Sequence, residues 1–258
     1  MKTLHLNLKK EIDESYDITI EPNLIERVSY DLESTHIGDK YAIITDSNVR
    51  SLYGEKLLRV LNERKIKACL IDFPAGEKSK NLSIVSHLIS RLIKNRLGRK
   101  SAIIALGGGV VGDVAGFTSS VFMRGIPYFQ IPTTLLAQVD SSIGGKTAVN
   151  TIKGKNLIGS FYQPKRVFID ITTLKTLPKA EFISGLAEVI KYGVIYNKEF
   201  FEYLEKNIEK IKNLDQENLM QIVWNSSKIK KEVVEPKIPE TSSEQDRGDG
   251  EAATNGEA

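Results

Sequence analysis

The segment SAIIALGGGVVGDVAG, residues 101–116, joins a short apolar run to a glycine-rich turn and a stretch of small residues. Ser101–Leu106 has the β-branched composition and length of a buried strand. Gly107, Gly109 and Gly112 fit the G-x-G-x-x-G spacing, in which glycines let backbone amides approach a pyrophosphate and a helix N-terminus attracts its charge. The segment predicts a strand, turn and helix that bind a nucleotide phosphate. A purely structural glycine turn is the alternative, because no acid stands about twenty residues further on to bind a ribose.

Strand-like and helical segments alternate on both sides of this turn. The other strand-like runs are Tyr41–Thr45, Ile66–Phe73, Tyr128–Ile131 and Arg166–Asp170. Helical spacing is found at Ser51–Glu63 and Ser79–Arg96, and after Leu177 it continues through Pro178–Val194, Lys198–Ile211 and Asp215–Val234. Alternation of this kind predicts a parallel sheet with helices on its faces. We therefore expect an α/β nucleotide-binding domain over residues 1–177 and the start of an all-helical domain over residues 178–235.

The last segment, residues 236–258, differs from the rest in composition. It has no aromatic residue, Val or Leu, and it carries two basic and six acidic residues, so its charge is −4 and the preceding part carries +7. A segment with so little apolar surface is expected to be a disordered tail. The basic remainder fits an anionic small molecule or scattered surface lysines. Nucleic acid is not expected as a partner, because no recognisable binding module is present.

Two further observations concern the compartment. The chain has one cysteine, Cys69, which excludes an intramolecular disulfide and is expected to be a buried strand residue, not a nucleophile, in a reducing compartment. The N-terminus lacks an apolar stretch of signal-peptide length, and the apolar run Ser101–Phe122 contains five glycines at its centre, which disfavours a membrane-spanning helix. We expect a cytoplasmic protein that is not inserted in a membrane.

A second glycine-rich segment, DSSIGGKT at 140–147, is similar to a nucleotide-triphosphate loop until its spacing is counted. That motif requires glycine five residues before the Gly-Lys pair, and the residue there is Asp140. The segment therefore does not predict a kinase or NTPase. Lys146 on a glycine-rich turn is still a suitable partner for a phosphate group.

Four segments together resemble the 3-dehydroquinate synthases, which are sugar phosphate cyclases. They are PAGEKSK (74–80), LGGGVVGDVAGFTSSVFMRG (106–125), IPTTLLAQVDSSIGGKTAVN (131–150), and KGKNLIGSFYQP with GLAEVIKYG (153–164 and 185–193). The resemblance covers roughly residues 15–235. It implies an N-terminal α/β domain and a C-terminal helical domain, with NAD and a divalent metal, Zn or Co, between them.

The resemblance also implies site residues. The expected NAD contacts are Asp46, Asn48, Glu77, Lys80, Gly108, Gly109, Val110, Val111, Gly112, Asp113, Thr133, Thr134, Asp140, Ser141, Lys146 and Lys155. Thr133 has the alternative role of capping a helix. The expected catalytic and substrate contacts are Lys146, Lys155, Asn156, Lys191 and Arg124, since a phosphorylated sugar acid carries two anionic groups. Exposed surface lysines are the alternative for this basic set.

Glu188 corresponds to the family's metal-binding glutamate. Glu188 and Lys191 share one polar helix face at i,i+3 spacing, which by itself is usually a weak surface ion pair. The histidines of this chain, His5, His36 and His87, are all far from Glu188 in sequence, and the family's two metal histidines would follow in a segment not found here. The sequence therefore predicts an incomplete metal site in a C-terminally truncated member of the family.

The implied reaction converts 3-deoxy-arabino-heptulosonate 7-phosphate to 3-dehydroquinate with release of phosphate, in the shikimate pathway, and this chain is expected to be impaired or inactive alone. A related NAD- and metal-dependent polyol dehydrogenase is one alternative. A non-catalytic nucleotide-binding remnant or subunit is another. The resemblance further implies a homodimer when the fold is complete, and a complementary C-terminal polypeptide is a possible partner.

Overall fold

The computed structural model describes residues 3–8 and 12–235, and the tail predicted at 236–258 lies outside this range. Its strands are β1 (Asp17–Glu21), β2 (Tyr41–Asp46), β3 (Ala68–Phe73), β4 (Ala102–Gly107), β5 (Tyr128–Pro132), β6 (Lys146–Thr151), β7 (Gly154–Phe161) and β8 (Arg166–Asp170). Six of them form one parallel sheet in the order β1-β8-β5-β4-β2-β3. The other two, β6 and β7, pair as an antiparallel hairpin.

The α-helices in the same range alternate with the strands as far as β5 and then follow one another. They are α1 (Val28–Thr35), α2 (Ser47–Val49), α3 (Glu55–Glu63), α4 (Leu82–Lys94), α5 (Gly109–Val121), α6 (Lys179–Tyr196), α7 (Lys198–Lys212) and α8 (Gln216–Val234). A π-helical turn, Arg50–Gly54, joins α2 to α3. The α/β fold class and the helical part after residue 177 are thereby confirmed.

The alternating side chains of the central strands pack against different helices. Ala42 and Ile44 of β2 share a buried cluster with α4 and α5, whereas Ile43 shares another with α1 and α3. Because successive residues of a strand point to opposite faces, helices cover the sheet on both sides. This explains why the central strands are nearly continuous apolar runs.

The three last helices also pack on the sheet. Val167 and Ile169 of β8 belong to the same buried cluster as residues of α6, α7 and α8. The helical part is therefore in direct apolar contact with the sheet at β8. The boundary at residue 177, as a division between two domains, stays a prediction.

The sequence pattern did not predict three strands. β1 (DITIE) lies at the sheet edge and pairs only with β8, and β6 and β7 contain polar residues and glycine. The apolar run 101–122 is divided between β4 and α5, and no helix in the described range is long and apolar enough to cross a membrane. Cys69 is a half-buried residue of β3, and burial raises the pKa of its thiol.

Candidate nucleotide-binding site

The carboxyl ends of β2 and β4 lie where the strand order of the sheet reverses, and we call the space above these two strand ends the crevice. From β2 the chain continues to β3 on one side, and from β4 it continues to β5 on the other side. Open parallel sheets bind ligands at such a switch point, because the two connections leave a gap above the strand ends. Asp46 ends β2 and Gly107 ends β4. The expected NAD contact Asp46 and the glycine-rich turn therefore both lie at this crevice.

The backbone of the glycine-rich turn is half-buried at Gly108 and Gly109, whereas Gly107 is buried. Gly108 is the N-cap of α5 and makes no side-chain capping bond. A Cβ atom at Gly108 would lie 2.9 Å from Thr134 Cγ2, and one at Gly109 would lie 3.0 Å from Ser141 Oγ. The first amides of α5 lack intrahelical partners, as at any helix N-terminus. The turn therefore offers amide donors beside Thr134 and Ser141, as expected for a diphosphate site.

Other glycines of the motif serve packing. A Cβ atom at Gly107 would lie 2.5 Å from Val111 Cγ2, and one at Gly112 would lie 2.7 Å from Gln130 Oε1. Val111 is fully buried, whereas Val110 is half-buried. Gly107 and Gly112 are thus needed for packing, as in a purely structural glycine turn. Gly108 and Gly109 suit a turn that binds a nucleotide phosphate.

A charged cluster lies along the first turns of α5, and we call it the Lys80 cluster. Lys80 forms an ion pair with Asp113, and both side chains are largely buried. Burial raises the pKa of Asp113, and the hydrogen bond from Lys80 partly offsets this. Glu77 Oε1 accepts a hydrogen bond from Asn150 at 2.8 Å and lies 3.8 Å from Lys155 Nζ. The structure therefore brings together four of the expected contacts, namely Glu77, Lys80, Asp113 and Lys155.

Asp46 and Asn48 lie at the carboxyl end of β2. Asp46 Oδ1 accepts hydrogen bonds from the amides of Asn48 (2.8 Å) and Val49 (2.9 Å), so it caps α2. These bonds fix the carboxylate at the crevice. A ribose contact by either residue stays a prediction.

Thr133 and Thr134 follow β5 directly. Thr133 is buried, and its amide donates to Gly107 O at 2.9 Å. Thr134 Oγ1 accepts from the amide of Ala137 at 3.2 Å, so Thr134 and not Thr133 caps the helical turn that follows. The capping role considered for Thr133 belongs to its neighbour.

Asp140 accepts two hydrogen bonds from the helical part. Tyr192 Oη of α6 donates to Asp140 Oδ1 at 2.7 Å, and Lys230 Nζ of α8 donates to the same oxygen at 2.6 Å. Burial raises the pKa of Asp140, but these two bonds and the charges of Lys230 and Lys191 outweigh it, so the pKa lies below its usual value. Sequence reasoning missed Lys230, because no motif marks it, and gave Tyr192 no role although it lies in GLAEVIKYG.

The described residues do not fit a metal site on their own. Glu188 Oε1 forms an ion pair with Lys191, and that bond raises the pKa of Lys191. A zinc-type site needs about three protein ligands. No group of three or more His, Cys, Asp and Glu residues that could hold a metal ion occurs in residues 3–8 and 12–235, and His5, His36 and His87 are all exposed. Glu188 therefore remains one predicted ligand, already bonded to an ammonium group.

Two expected substrate contacts, Lys146 and Arg124, lie outside these clusters, whereas Asn156 is linked to the Lys80 cluster through Asn150. Lys146 is exposed at the start of β6, next to Thr147, whose Cγ2 would be 2.5 Å from a Cβ atom at Gly116. Arg124 is exposed beyond the C-terminal end of α5, and the rise of the helix separates that end, Val121, from Gly109 by about 18 Å. Asn156 has a positive φ of 56°, and its amide donates to Asn150 Oδ1. Lys146 thus lies about two helical turns from the glycine turn, and Arg124 is remote from it.

Two family models match the chain consecutively. The model described as 3-dehydroquinate synthase N-terminal matches residues 70–184, and the one described as 3-dehydroquinate synthase C-terminal matches residues 185–246. Curated 3-dehydroquinate synthases are also similar: that of Desulforamulus reducens is 49% identical over 221 residues, and that of Prochlorococcus marinus is 52% identical over 226 residues. Each alignment covers 86% of this chain, and the chain spans 62% of the length of each relative.

Solved structures of related cyclases have the same fold. The 2-epi-5-epi-valiolone synthase of Streptomyces hygroscopicus with NAD+ and Zn2+ bound is 28% identical, with a TM-score of 0.80 over 89% of this chain and 63% of that one. A 2-deoxy-scyllo-inosose synthase complexed with carbaglucose-6-phosphate, NAD+ and Co2+ is 30% identical, with a TM-score of 0.65 over 83% of this chain and 62% of that one. The consecutive family matches and the curated relatives agree, and the chain belongs to the 3-dehydroquinate synthase family.

Proposed function

We propose that this chain binds NAD across the crevice between β2 and β4, with the diphosphate on the amides of the Gly108–Gly109 turn. The observation that carries the proposal is the glycine turn at the strand switch point, whose helix N-terminus has no side-chain cap and is flanked by Thr134 and Ser141. Two solved relatives hold NAD+ in the same fold, which supports NAD as the dinucleotide. Asp46 and Asn48, at the end of the neighbouring strand, are suitably placed for a ribose.

We further propose that the chain carries part of the active site for converting 3-deoxy-arabino-heptulosonate 7-phosphate to 3-dehydroquinate with release of phosphate. NAD, when bound, supplies reversible hydride transfer at a substrate hydroxyl carbon. The chain's own residues supply charge and position. Lys230 donates a hydrogen bond to Asp140, and the charge of Lys191 lowers the pKa of the same carboxylate. The site thus combines ammonium groups, which can bind a carboxylate or phosphate, with a carboxylate, which can bind a hydroxyl.

The depressed pKa of Asp140 gives this carboxylate a defined role. It stays ionised at neutral pH, because Tyr192 and Lys230 donate hydrogen bonds to one of its oxygens. An ionised carboxylate accepts hydrogen bonds from substrate or ribose hydroxyls and orients them. Lys146, Lys155, Asn156 and Arg124 stay proposed substrate contacts on the strength of the family resemblance.

Among the described residues, Glu188 is the one metal ligand that the family resemblance implies, and a single carboxylate is too few to hold a divalent metal. We therefore propose that residues 1–258 alone turn over slowly or not at all and need a second polypeptide that carries further ligands. A homodimer and a cytoplasmic location are likewise proposed from the family. Measuring the mass of the chain in solution tests the homodimer.

Calorimetric titration of purified chain with NAD tests the cofactor proposal. Gly109→Ala should weaken NAD binding about tenfold or more, because the new methyl group would lie against Ser141 on the turn proposed to bind the diphosphate. Gly98→Ala is the matched control, since a Cβ atom at Gly98 meets nothing within 4 Å. Equal affinities in the two variants, or no NAD binding by the wild-type chain, would refute the assignment.

A phosphate-release assay tests the reaction. The wild-type chain is assayed alone and with the C-terminal third of a curated relative supplied as a separate polypeptide, with Zn2+ or Co2+ added. Release only in the mixture supports the proposal of a complementary partner. Release at a normal family rate by the chain alone would contradict it.

A second candidate is a non-catalytic NAD-binding subunit, which the pairing of Glu188 with Lys191 favours because an ammonium group already bonds that carboxylate. NAD binding without phosphate release under any combination of partner and metal would select it. The polyol dehydrogenase alternative predicts net NADH formation with glycerol, which the same samples can report by absorbance.

A further inference from the structure

The turn that carries Asp140 and Ser141 is not an ordinary α-helix. Ala137–Ser141 is π-helical, and the amide of Ser142 donates to Ala137 O at 3.2 Å, five residues back. A π-turn inserts one residue relative to an α-helix, so it is held only where surrounding contacts favour it, often at a functional site. Relaxation to α-helical spacing would rotate the residues after the turn by about 100°.

One buried side chain holds this turn to the sheet. Gln138 is fully buried, and its Nε2 lies 3.2 Å from Pro132 O, 3.1 Å from Asp170 O and 3.0 Å from Thr173 Oγ1. Pro132 ends β5 and Asp170 ends β8, which are neighbouring strands. A single amide group therefore ties the π-turn to two strand ends.

The orientation of the Gln138 amide is fixed by its surroundings. Pro132 O and Asp170 O can only accept hydrogen bonds, so the nitrogen and not the oxygen must face them. Gln138 Oε1 is buried and has no hydrogen-bond partner among the described residues. An unsatisfied buried acceptor is costly, and such a cost is typical of an element kept for function.

We infer that Gln138 is a positioning residue: it keeps Ala137–Ser141 π-helical and thereby points Asp140 at Lys230 and Tyr192, and Ser141 at Gly109. This inference deepens the proposed function, and only its test by NAD affinity rests on that function. Gln138 is fully buried and does not itself contact cofactor or substrate. It acts through Asp140, which bonds Tyr192 and Lys230, and through Ser141, which lies beside Gly109.

The first test is local amide hydrogen exchange in the unliganded chain, which needs no cofactor. Gln138→Met keeps the side-chain length and removes the donor. We expect at least tenfold faster exchange in peptide 133–146, with unchanged exchange across α5. Val28→Ala, which trims a fully buried side chain of α1, is the stability control and should leave peptide 133–146 unchanged. Exchange in 133–146 within twofold of wild type would overturn the inference.

The second test is NAD affinity in a double-mutant cycle with Asp140→Asn. If Gln138 acts through Asp140, adding Gln138→Met to Asp140→Asn should weaken NAD binding by less than it does in the wild-type chain. Equal effects in both backgrounds would mean a merely structural role and would overturn the inference. Should wild-type chain fail to bind NAD, the proposed function fails, and the exchange result alone then decides the role of Gln138.

Thr173→Val provides a milder variant if Gln138→Met does not fold. It removes one of the three acceptors around Gln138 Nε2 and leaves the two strand-end carbonyls in place. We expect two- to fivefold faster exchange in peptide 133–146 and a correspondingly smaller loss of NAD affinity. No change in that peptide would count against the inference in the same way.

Discussion

Lys230 Nζ donates a hydrogen bond to Asp140 Oδ1 over 2.6 Å, although the two residues are 90 positions apart in the chain. Asp140 lies on the turn after β5, and Lys230 lies on the last helix of the described range. The bond therefore joins the helical part to the carboxyl side of the sheet. Tyr192 of α6 donates to the same oxygen, so α6 and α8 both bond one carboxylate on the turn after β5.

Lys230→Met should lower the free energy of unfolding by about 1.5–3 kcal/mol at pH 7, the usual range for a hydrogen bond to a charged group. Both side chains are largely shielded from solvent, so screening is limited. Urea unfolding measures the change. Lys231→Met, which removes an exposed pair with Glu235 on the same helix, is the control and should change stability by less than about 1 kcal/mol.

The same pair predicts a pH dependence. The pKa of folded Asp140 lies below its ordinary value of 3.8, so its stabilisation is present above about pH 3.8 and is lost as pH falls through the folded pKa. Lys230→Met removes a major lowering contact and raises this pKa. The stability gap between wild type and variant should therefore narrow as the pH is lowered from 5 to 3. A gap that is constant over this range in urea unfolding would contradict the assignment.

Lys80→Met should be more destabilising than Lys230→Met, by about 3–5 kcal/mol at pH 7, because it leaves the carboxylate of Asp113 buried without its partner. Burial already raises the pKa of Asp113. Because this pKa is higher in the folded than in the unfolded chain, protonation of Asp113 favours folding. This stabilisation is fully present below about pH 3.8 and is lost as pH rises through the folded pKa. The Lys80→Met variant should therefore regain part of its stability as the pH falls from 7 to 5.

The double variant Lys80→Met with Asp113→Leu checks the origin of this effect. Replacing both charges by apolar groups should recover at least half of the loss, since no buried charge then remains. Lys155→Met, which removes an exposed ammonium 3.8 Å from Glu77, should be nearly neutral. Equal stability of the single and double variants would argue against a buried ion pair.

The sequence predicted the central strands because they are buried on both faces and are therefore apolar throughout. Ser101–Leu106 and Tyr128–Ile131 agree with β4 and β5 to within one residue at each end. β1 was missed because an edge strand with Asp17 and Glu21 at its ends has little apolar content. β7 was missed because it contains Gly154 and Gly159 and because most of its side chains face solvent.

The site could be predicted only as far as its motifs extend. Local spacing placed Gly108, Gly109 and Asp113 on one turn and its helix, and the structure agrees. The link from Asp140 to Lys230 depends on how α8 packs against the turn after β5, which no local pattern encodes. Arg124 was grouped with the lysines by resemblance alone, and the rise of α5 separates it from the turn.

Asp170→Ala should destabilise the chain by about 3 kcal/mol or more. This carboxylate is buried and accepts hydrogen bonds from the amides of Asn23, Ile25 and Thr172 and from the Thr172 hydroxyl. Its removal leaves three amides without their acceptor, and a buried unsatisfied amide costs about 1–3 kcal/mol. Thr172→Val, which removes only the hydroxyl bond, should cost about 1 kcal/mol in urea unfolding. Similar losses in both variants would contradict the role of Asp170 as a shared acceptor.

Gly185→Ala tests how closely α6 packs on the turn after β5. A Cβ atom at Gly185 would lie 2.7 Å from Leu135 Cβ and 2.7 Å from the backbone nitrogen of Leu136. Alanine favours a helix over glycine by about 1 kcal/mol, but an overlap with backbone cannot be relieved by rotating a side chain and costs about 1–3 kcal/mol. We therefore expect a net loss of up to about 2 kcal/mol in urea unfolding.

The displacement of α6 should also reach the site, because Tyr192 lies two helical turns further along α6 and bonds Asp140. NAD affinity in Gly185→Ala should fall with stability, whereas Gly98→Ala should leave both unchanged. Gly193→Ala is the graded control: its nearest atom, Phe201 Cα, would be 3.1 Å away, so the helix needs to shift less. A larger loss in Gly193→Ala than in Gly185→Ala would show that α6 does not rest on the turn at Leu135.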